Sequence, residues 1–268
     1  MAADEPITFV VPVNDDRVLE HNFLASPALQ GCGKTEILLQ RGFGSAAVAY
    51  NAAIDRAVSD LIAFVHQDIY LPPSWLKDVS RTVSYLDREA PDWGVLGCYG
   101  VTRENTHAGF VYSNGIGVIG ARFERPVAVR TLDEIVLIIR RSSRLRFNPQ
   151  VPHFHLYGAE LCLQAAEGGR KCYALPAFCI HNTRYASLLP KEFYESYAVV
   201  KKLWRSRLPI RTSCISITEW DLEVRLRRLK ALQFTLGLRT DRHRKDRVTD
   251  PGALYRDLVK RGFYNSLG

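Results

Sequence analysis

LIAFVHQDIYLPPSW, residues 61–75, is the stretch on which the fold turns. Leu61 to Val65 is an unbroken apolar run of strand length, the mark of a strand buried on both faces, and such strands belong to parallel sheets covered by helices. The run breaks into His66, Gln67 and Asp68, and Pro-Pro-x-Trp-Leu then opens a helix. In open parallel sheets, ligands bind beyond the carboxyl ends of the strands, where loops and helix N-termini converge. A polar triplet there is a candidate site. Alternation along the chain sends Gln67 to the side opposite His66 and Asp68. Taken alone, Asp68 also reads as a cap or turn residue before Pro72.

The flanking chain keeps the same rhythm. ITFVVPV (7–13) and EILLQ (36–40) read as buried strands, SAAVAYNAAIDRAV (45–58) and PPSWLKDVSRTVSYLD as amphipathic helices. WGVLGCYG (93–100) reads as a further strand, and turns at Asn114-Gly115 and Gly120 suggest hairpins. AELCLQAAEGG (159–169) is a helix ending on glycine, followed by the strand KCYALPAFCIH. Strand, helix, strand in this order means parallel pairing with helices on the sheet faces. After His181 the strand signals cease, and 190–206, 217–236 and 251–262 read as helices. RTDRHRKDR (239–247) is so charged that it is expected to be exposed and mobile.

At 268 residues, 47% apolar and 24% charged, the chain has the make-up of a soluble globular protein. No apolar run approaches the ~20 residues of a membrane span, and the start MAADEPITFV carries acid where a signal peptide carries base, so a cytoplasmic location is expected. Six widely spaced cysteines, without a C-x-x-C pair, read as buried thiols. The net charge of +8 is unevenly placed: from Lys191 onward there are 18 Lys and Arg against 9 Asp and Glu, leaving 18 against 19 before it. A near-neutral body with a basic tail suits an anionic partner.

The ordered series ITFVVPVNDD, AYNAAI, HQD with its P-x-W-L helix, FHLYGAELCLQAAEGG and IHN resembles the family 2 glycosyltransferases of the GT-A fold, over roughly residues 6–185. More narrowly, HQD in place of D-x-D resembles their streptomycin-biosynthesis-type branch. The resemblance implies an α/β, Rossmann-like GT-A domain over 1–188 with a mostly parallel central sheet flanked by helices, and a basic helical C-terminal region over 189–268. It implies transfer of a sugar from a nucleotide-diphosphate sugar donor to a hydroxyl acceptor, a glycan or small molecule, with inversion and with Mn²⁺ or Mg²⁺ as cofactor. A cation blunts the charge that gathers on a departing diphosphate without any proton transfer.

Carried onto this chain, the resemblance makes Asp68 the metal carboxylate, with His66 and His181 as further ligands. It makes Pro12, Asn14 and Asp15 the nucleotide pocket, joined by Asn51; Gln67 is a further candidate for the nucleotide, and Arg41, after the second strand, either reaches a phosphate or is solvated. An inverting transfer needs a base for the acceptor hydroxyl. Glu160 matches the acid before leucine in the family's E-D-x-D-L helix, with His155 in reserve and Asp133 of TLDE nearer the acceptor side. Tyr157 and Gly158 stand where the family has its Glu-Asp pair, and the D-x-D lacks one carboxylate; a non-catalytic nucleotide- or glycan-binding module of the same fold is the rival reading.

Two motifs mislead. QGCGKT (30–35) lacks the first glycine of a P-loop, having Ala28 there, and a strand follows in place of a helix. The pair in HFHLY, His153 and His155, has no third ligand at helical spacing. In the tail, WDLEVRLRRLKALQF interleaves leucine with arginine; its apolar side either packs on the protein or meets an anionic surface such as lipid headgroups. No stacking platform or reading motif for nucleic acid accompanies it.

Overall fold

The computed structural model describes residues 5–30, 35–184, 189–236, 238 and 245–263. Cys32, most of QGCGKT, the boundary expected at 188/189 and most of RTDRHRKDR lie outside the described residues. In chain order the first elements are β1 (Ile7–Val13), α1 (Asp16–His21), β2 (Thr35–Arg41), α2 (Ala46–Arg56), β3 (Leu61–Val65), β4 (Ile69–Tyr70) and α3 (Trp75–Glu89). The middle of the chain gives β5 (Trp93–Gly97), β6 (Tyr99–Val101), β7 (His107–Ser113), β8 (Gly117–Gly120), β9 (Val127–Val129), β10 (Thr131–Leu132) and β11 (Val136–Arg140). Then come α4 (Tyr157–Glu167), β12 (Lys171–Ala174), β13 (Cys179–His181), α5 (Lys191–Leu203), β14 (Ile210–Arg211), β15 (Ser216–Ile217), α6 (Leu222–Thr235) and α7 (Pro251–Lys260).

The central sheet runs in the order β2-β1-β3-β11-β5-β12-β9. β1 pairs parallel with β2 and β3, and β5 pairs parallel with β12. β11 enters antiparallel between β3 and β5, and β9 lies antiparallel on the far edge. Five strands therefore share one direction, as the apolar runs predict, but β11 splits them into two groups. Its last residue, Arg140, is held by Glu5, Asp60 and Asp87 at 2.6, 3.0 and 2.7 Å.

A second sheet, β10-β6-β7-β13-β4, with β8 beside β7, takes β6 and β13 from runs that each read in the sequence as a single strand. WGVLGCYG breaks between β5 and β6, where Gly97 packs so closely that a Cβ would lie 2.9 Å from the Val136 oxygen. KCYALPAFCIH breaks at Leu175 to Phe178, where Pro176 has no N–H for a ladder. Each run thus starts in one sheet and ends in the other. The turn at Asn114-Gly115 closes the β7–β8 hairpin, with Gly115 at φ 88°. Gly120 is different from its expected role: it ends β8 against Gly109, with no strand returning from it. The tail departs too, because β14 and β15 form a small antiparallel pair where only helices were expected.

Both faces of the central sheet are covered. On one, Phe9, Phe23 and Trp75 meet with ring centroids 5.5 to 5.8 Å apart; on the other, Tyr50, Phe64, Phe147 and Tyr157 interlock. The C-terminal region docks through two further apolar clusters: Phe193, Tyr197, Val200 and Trp204 on Val151, Leu156 and Leu163, and Leu258 on Tyr70, Phe178 and Ile180. Among the described residues no helix is long and apolar enough to cross a membrane.

Trp75 of the P-x-W-L start is fully buried, yet its Nε1–H finds no partner. Trp75→Ala is expected to cost about 3–5 kcal/mol, whereas Trp75→Phe, which also removes the unpaired donor, is expected to cost under about 1.5 kcal/mol. Urea unfolding of the two variants checks the difference.

Candidate functional site

The polar triplet ends β3 because the chain changes sheets there. The His66 N–H turns to the Ile135 carbonyl at 3.4 Å, and the Ile69 N–H returns to the His66 carbonyl at 3.2 Å, closing a tight turn. β4 then pairs antiparallel with β13, setting Ile69 opposite His181, while the Asn182 N–H donates to the Asp68 carbonyl at 2.8 Å. Two segments more than a hundred residues apart are thereby joined.

Side chains complete the rim. Gln67 Oε1 accepts from the N–H groups of Asn14 and Asp15 at 3.0 and 3.2 Å, tying the end of β1 to the end of β3. The Asp15 carboxylate caps α1, accepting from the N–H groups of Arg17 and Val18. These elements border a cavity of about 470 Å³, lined by Pro12, Val13, Asn14, Gln40, Gly42, Phe43, His66, Gln67, Asp68, Phe154 and Arg247.

Two of the lining residues, His66 and Asp68, together with the adjoining His181 offer ligand atoms that all lie within 4.8 Å of one another. His181 Nε2 is 3.6 Å from one Asp68 oxygen and Arg247 Nη2 is 3.5 Å from the other. Burial, at 7% exposure, would raise the Asp68 pKa. His181, His66 and Arg247 outweigh it and hold the carboxyl below its ordinary range, so it is ionised at neutral pH. Burial and the neighbouring His181 depress His66, against the pull of Asp68 and Asp133. His66 is thus neutral, the form that ligates metal. Its Nε2 is 2.8 Å from the Tyr157 hydroxyl, whose own proton points to the Glu134 carbonyl at 3.5 Å. The same hydroxyl lies 3.3 Å from that of Tyr50, so a buried tyrosine pair holds the imidazole ring in place.

Arg247 and Gln40 are the residues that sequence reading missed. Arg247 lies at the end of the segment expected to be exposed, but its backbone is strapped down. Asn114 Nδ2 donates to the Asp246 carbonyl at 2.7 Å, and the Asn182 amide exchanges 2.7 Å bonds with both backbone groups of Val248. The IHN motif thereby clamps the tail across the cavity. Arg247 Nε is buried and unpartnered, as is Nε2 of Gln40, which is 3% exposed at the end of β2. Two unsatisfied donors facing one cavity mark a site for acceptor oxygens. The available signal for Gln40 was its place at the end of an apolar run, the same pattern that flags VNDD and VHQD.

Other candidates sit elsewhere. Asn51 faces away from the cavity: its amide accepts from the Phe147 N–H at 3.0 Å and donates to the Phe147 carbonyl at 2.8 Å, pinning the segment before α4 to α2. Glu160, nominated as base, is 1% exposed and saturated by Gln164, Asn148 and Trp204 at 2.7, 3.2 and 3.3 Å. Its helix register turns it into the body, where it anchors α5. Arg41 pairs on the surface with Asp16 at 2.6 Å and does not line the cavity. His155 packs on Phe193, and burial together with the nearby His66 pushes its pKa down to about 4. His153 bonds Glu195 at 2.6 Å, so the H-x-H pair is split between two tasks. Asp133 accepts from the Ile135 N–H at 3.2 Å and from the Ser213 hydroxyl. Beside it, burial and Asp133 itself push Glu134 up to about 8.

No family model matches the chain. A protein of Fuscovulum blasticum, "ATP synthase subunits region ORF 6", is 30% identical over 138 residues, 48% of this chain and 53% of that protein. The chain therefore spans about half the length of that relative. Among solved structures, GalNAc-T7 with UDP, GalNAc and Mn²⁺ superposes with a TM-score of 0.53 at 9% identity, over 86% of this chain and 55% of that one. The mannosyltransferase PcManGT from Pyrobaculum calidifontis, with GDP-Man and Mn²⁺, gives 0.49 at 13% identity over 98% and 82%. The fold is that of the GT-A glycosyltransferases.

Two outcomes follow from these positions. Glu160→Ala leaves the buried Trp204 donor and the half-buried Asn148 and Gln164 donors without their acceptor and is expected to lower stability by about 1–3 kcal/mol while leaving nucleotide affinity unchanged, as urea unfolding and calorimetric titration with UDP will show. For Glu134 the folded pKa lies above the unfolded one, so the native state holds the proton more tightly, and stability falls as pH rises from about 4.5 through about 8. Glu134→Gln is expected to flatten that slope and add on the order of 2 kcal/mol at neutral pH, read from unfolding midpoints across the window.

Proposed function

We propose that the protein is a glycosyltransferase moving a sugar from a nucleotide-diphosphate sugar to a hydroxyl acceptor, a glycan or small molecule, with inversion. The observation that carries this reading is the cavity at the strand ends, where an ionised Asp68 stands between two histidines and a strapped arginine. The shared fold with GalNAc-T7, crystallised with UDP, GalNAc and Mn²⁺, supports the donor class.

Two imidazoles and one carboxylate make a mixed nitrogen and oxygen donor set, which suits Mn²⁺ better than Mg²⁺ with its preference for oxygen. His66, Asp68 and His181 would hold the ion, leaving its other positions to phosphate oxygens. When bound, the ion supplies charge neutralisation of the diphosphate leaving group.

The remaining steps belong to the chain. Arg247 exchanges its long contact with Asp68 for the diphosphate, where a guanidinium with an unsatisfied Nε can donate a parallel pair of bonds. Gln40 donates to the nucleotide, and Phe43 and Phe154 offer faces to its base. Pro12, Asn14 and Gln67 shape the nucleotide end. With Glu160 committed elsewhere, Asp133 is the acceptor base we favour, with His155 in reserve. Asp133 stands close enough to His66 to influence its charge, and a neutral His155 can take a proton. The H-Q-D arrangement of a streptomycin-type branch, one carboxylate and a histidine in place of two carboxylates, belongs to the same proposal. A binding module without turnover is the second reading, favoured by the burial of Glu160 away from the cavity.

Calorimetric titration with UDP, with and without Mn²⁺, is expected to show metal-enhanced binding that Asp68→Asn weakens by at least about tenfold. Arg247→Ala is expected to weaken binding by about 10- to 100-fold even without metal. Unchanged affinity in both variants would remove the site. In transfer assays over a panel of nucleotide sugars, Asp133→Asn is expected to lower kcat by about 10²–10⁴-fold with UDP affinity retained; tight UDP binding with no turnover on any donor would decide for the module.

A further inference from the structure

α6 is mounted with its apolar side outward. Val224 is its buried apolar residue, and the side chains that secure it to the body are charged. Arg227 donates to the Cys214 carbonyl at 3.0 Å and to Glu223, and Arg228 lies over the Tyr194 ring at 5.0 Å. At 100° per residue, Leu222, Leu226, Leu229, Leu232 and Leu236 occupy one arc of about 120° opposite Val224. All five are 53% to 65% exposed. Trp220, 82% exposed, stands just before the helix. Five solvated leucines in one stripe, with a tryptophan at its end, are more than the scattered apolar residues normal for a surface.

The charges around the stripe say what covers it. Arg225 and the half-buried Gln233 fall inside the leucine arc and Lys230 about 40° beyond its edge, and Arg225 and Lys230 are exposed. The acidic residues nearby are already taken: Glu223 by Arg227, Asp221 by Lys201 at 2.8 Å, and Glu219 by Arg205 at 2.6 Å. A second copy of the chain meeting this face about a two-fold axis would bring Arg225 and Lys230 against their own images, with no unpaired carboxylate among the described acids beside them, Glu219, Asp221 and Glu223. A surface that is apolar within and anionic at its boundary satisfies both features at once.

We propose that α6 is an in-plane membrane anchor, its leucines sunk to the acyl boundary of an anionic bilayer and Arg225 and Lys230 reaching up to lipid phosphates. The helix is 14 residues long, about 21 Å, long enough to lie in the plane of a bilayer surface. The exposed Trp220 adds the indole that favours the headgroup level. Arg225 within the stripe and Lys230 beside it supply the attraction to anionic lipid, screened by salt.

Co-sedimentation of the full chain with phosphatidylglycerol/phosphatidylcholine vesicles, against phosphatidylcholine alone, tests this. Wild type is expected to partition at least about tenfold more strongly onto the anionic vesicles, with the preference lost at high salt. Leu226→Glu combined with Leu229→Glu, and separately Arg225→Glu combined with Lys230→Glu, are each expected to reduce partitioning by about tenfold or more. Both pairs replace solvated side chains, so circular dichroism and melting temperature are expected to match wild type. No vesicle binding, or equal binding to both lipid mixtures, overturns the proposal. So does a concentration-dependent dimer in light scattering that the leucine pair dissolves while vesicles leave wild type in the supernatant.

Discussion

The site depends on one backbone pairing, the short antiparallel contact of Ile69-Tyr70 with Ile180-His181. Without it the tight turn after β3 would carry three polar residues into solvent and Asp68 would be an ordinary turn residue. With it, the turn is trapped between two sheets. The Asn182 N–H fixes the Asp68 backbone, His181 arrives beside the carboxylate, and the clamp on Val248 is in place to receive the tail. Only a few residues pair, so their strength comes from burial: Ile69 and Ile180 are completely enclosed, and Leu258 of the C-terminal region packs on Tyr70 and Ile180. Hydrogen bonds withdrawn from water in this way cannot be traded for solvent without leaving unsatisfied groups behind.

The electrostatics of the cluster follow from that enclosure. A buried carboxylate ordinarily protonates; Asp68 stays ionised because positive and polarisable neighbours converge on it, and Arg247 is the neighbour whose charge does not depend on pH. His66, its own pKa depressed by burial, can then remain a neutral ligand. The same desolvation that depresses His66 raises Glu134 and Tyr157 on the far side of the ring. Tyr157 therefore stays a neutral hydroxyl beside His66.

The sequence reveals the central strands and most helices because their signals are local: Ile7–Val13 and Leu61–Val65 are apolar throughout, and α2 and α3 repeat at helical spacing. It reveals the polar rim at Asn14 and Asp68 for the same reason, since each ends such a run. What it conceals is where a long apolar run changes partners. WGVLGCYG and KCYALPAFCIH carry no local mark of belonging to two sheets, because both halves are equally buried. Glu160 illustrates the other blind spot. Its place one residue before a leucine at a helix start suggests a site acid, but whether a helical acid faces a cavity or the core depends on rotation about the helix axis, and that is set by Trp204 and Asn148, far away in the chain or outside the helix. Arg247 was hidden because charge density reads as solvation unless the clamp from Asn114 and Asn182 is known.

The basic tail then resolves into two kinds of arginine. Those that bind inward, Arg227 to a carbonyl and a carboxylate and Arg228 over an aromatic ring, use the planar guanidinium as a bracket that holds α6 with its polar side to the protein. Arg247 is set inward in the same way, but its partner at 3.5 Å is loose and its Nε is left without an acceptor. An inward arginine with an unfilled hydrogen bond is held in reserve for an oxygen-rich ligand, whereas a satisfied one is structural. The net charge of the tail alone does not separate these roles. The hydrogen-bond inventory of each guanidinium does, and it assigns the positive charge of the C-terminal region partly to architecture, partly to the cavity and partly to the outer face of α6.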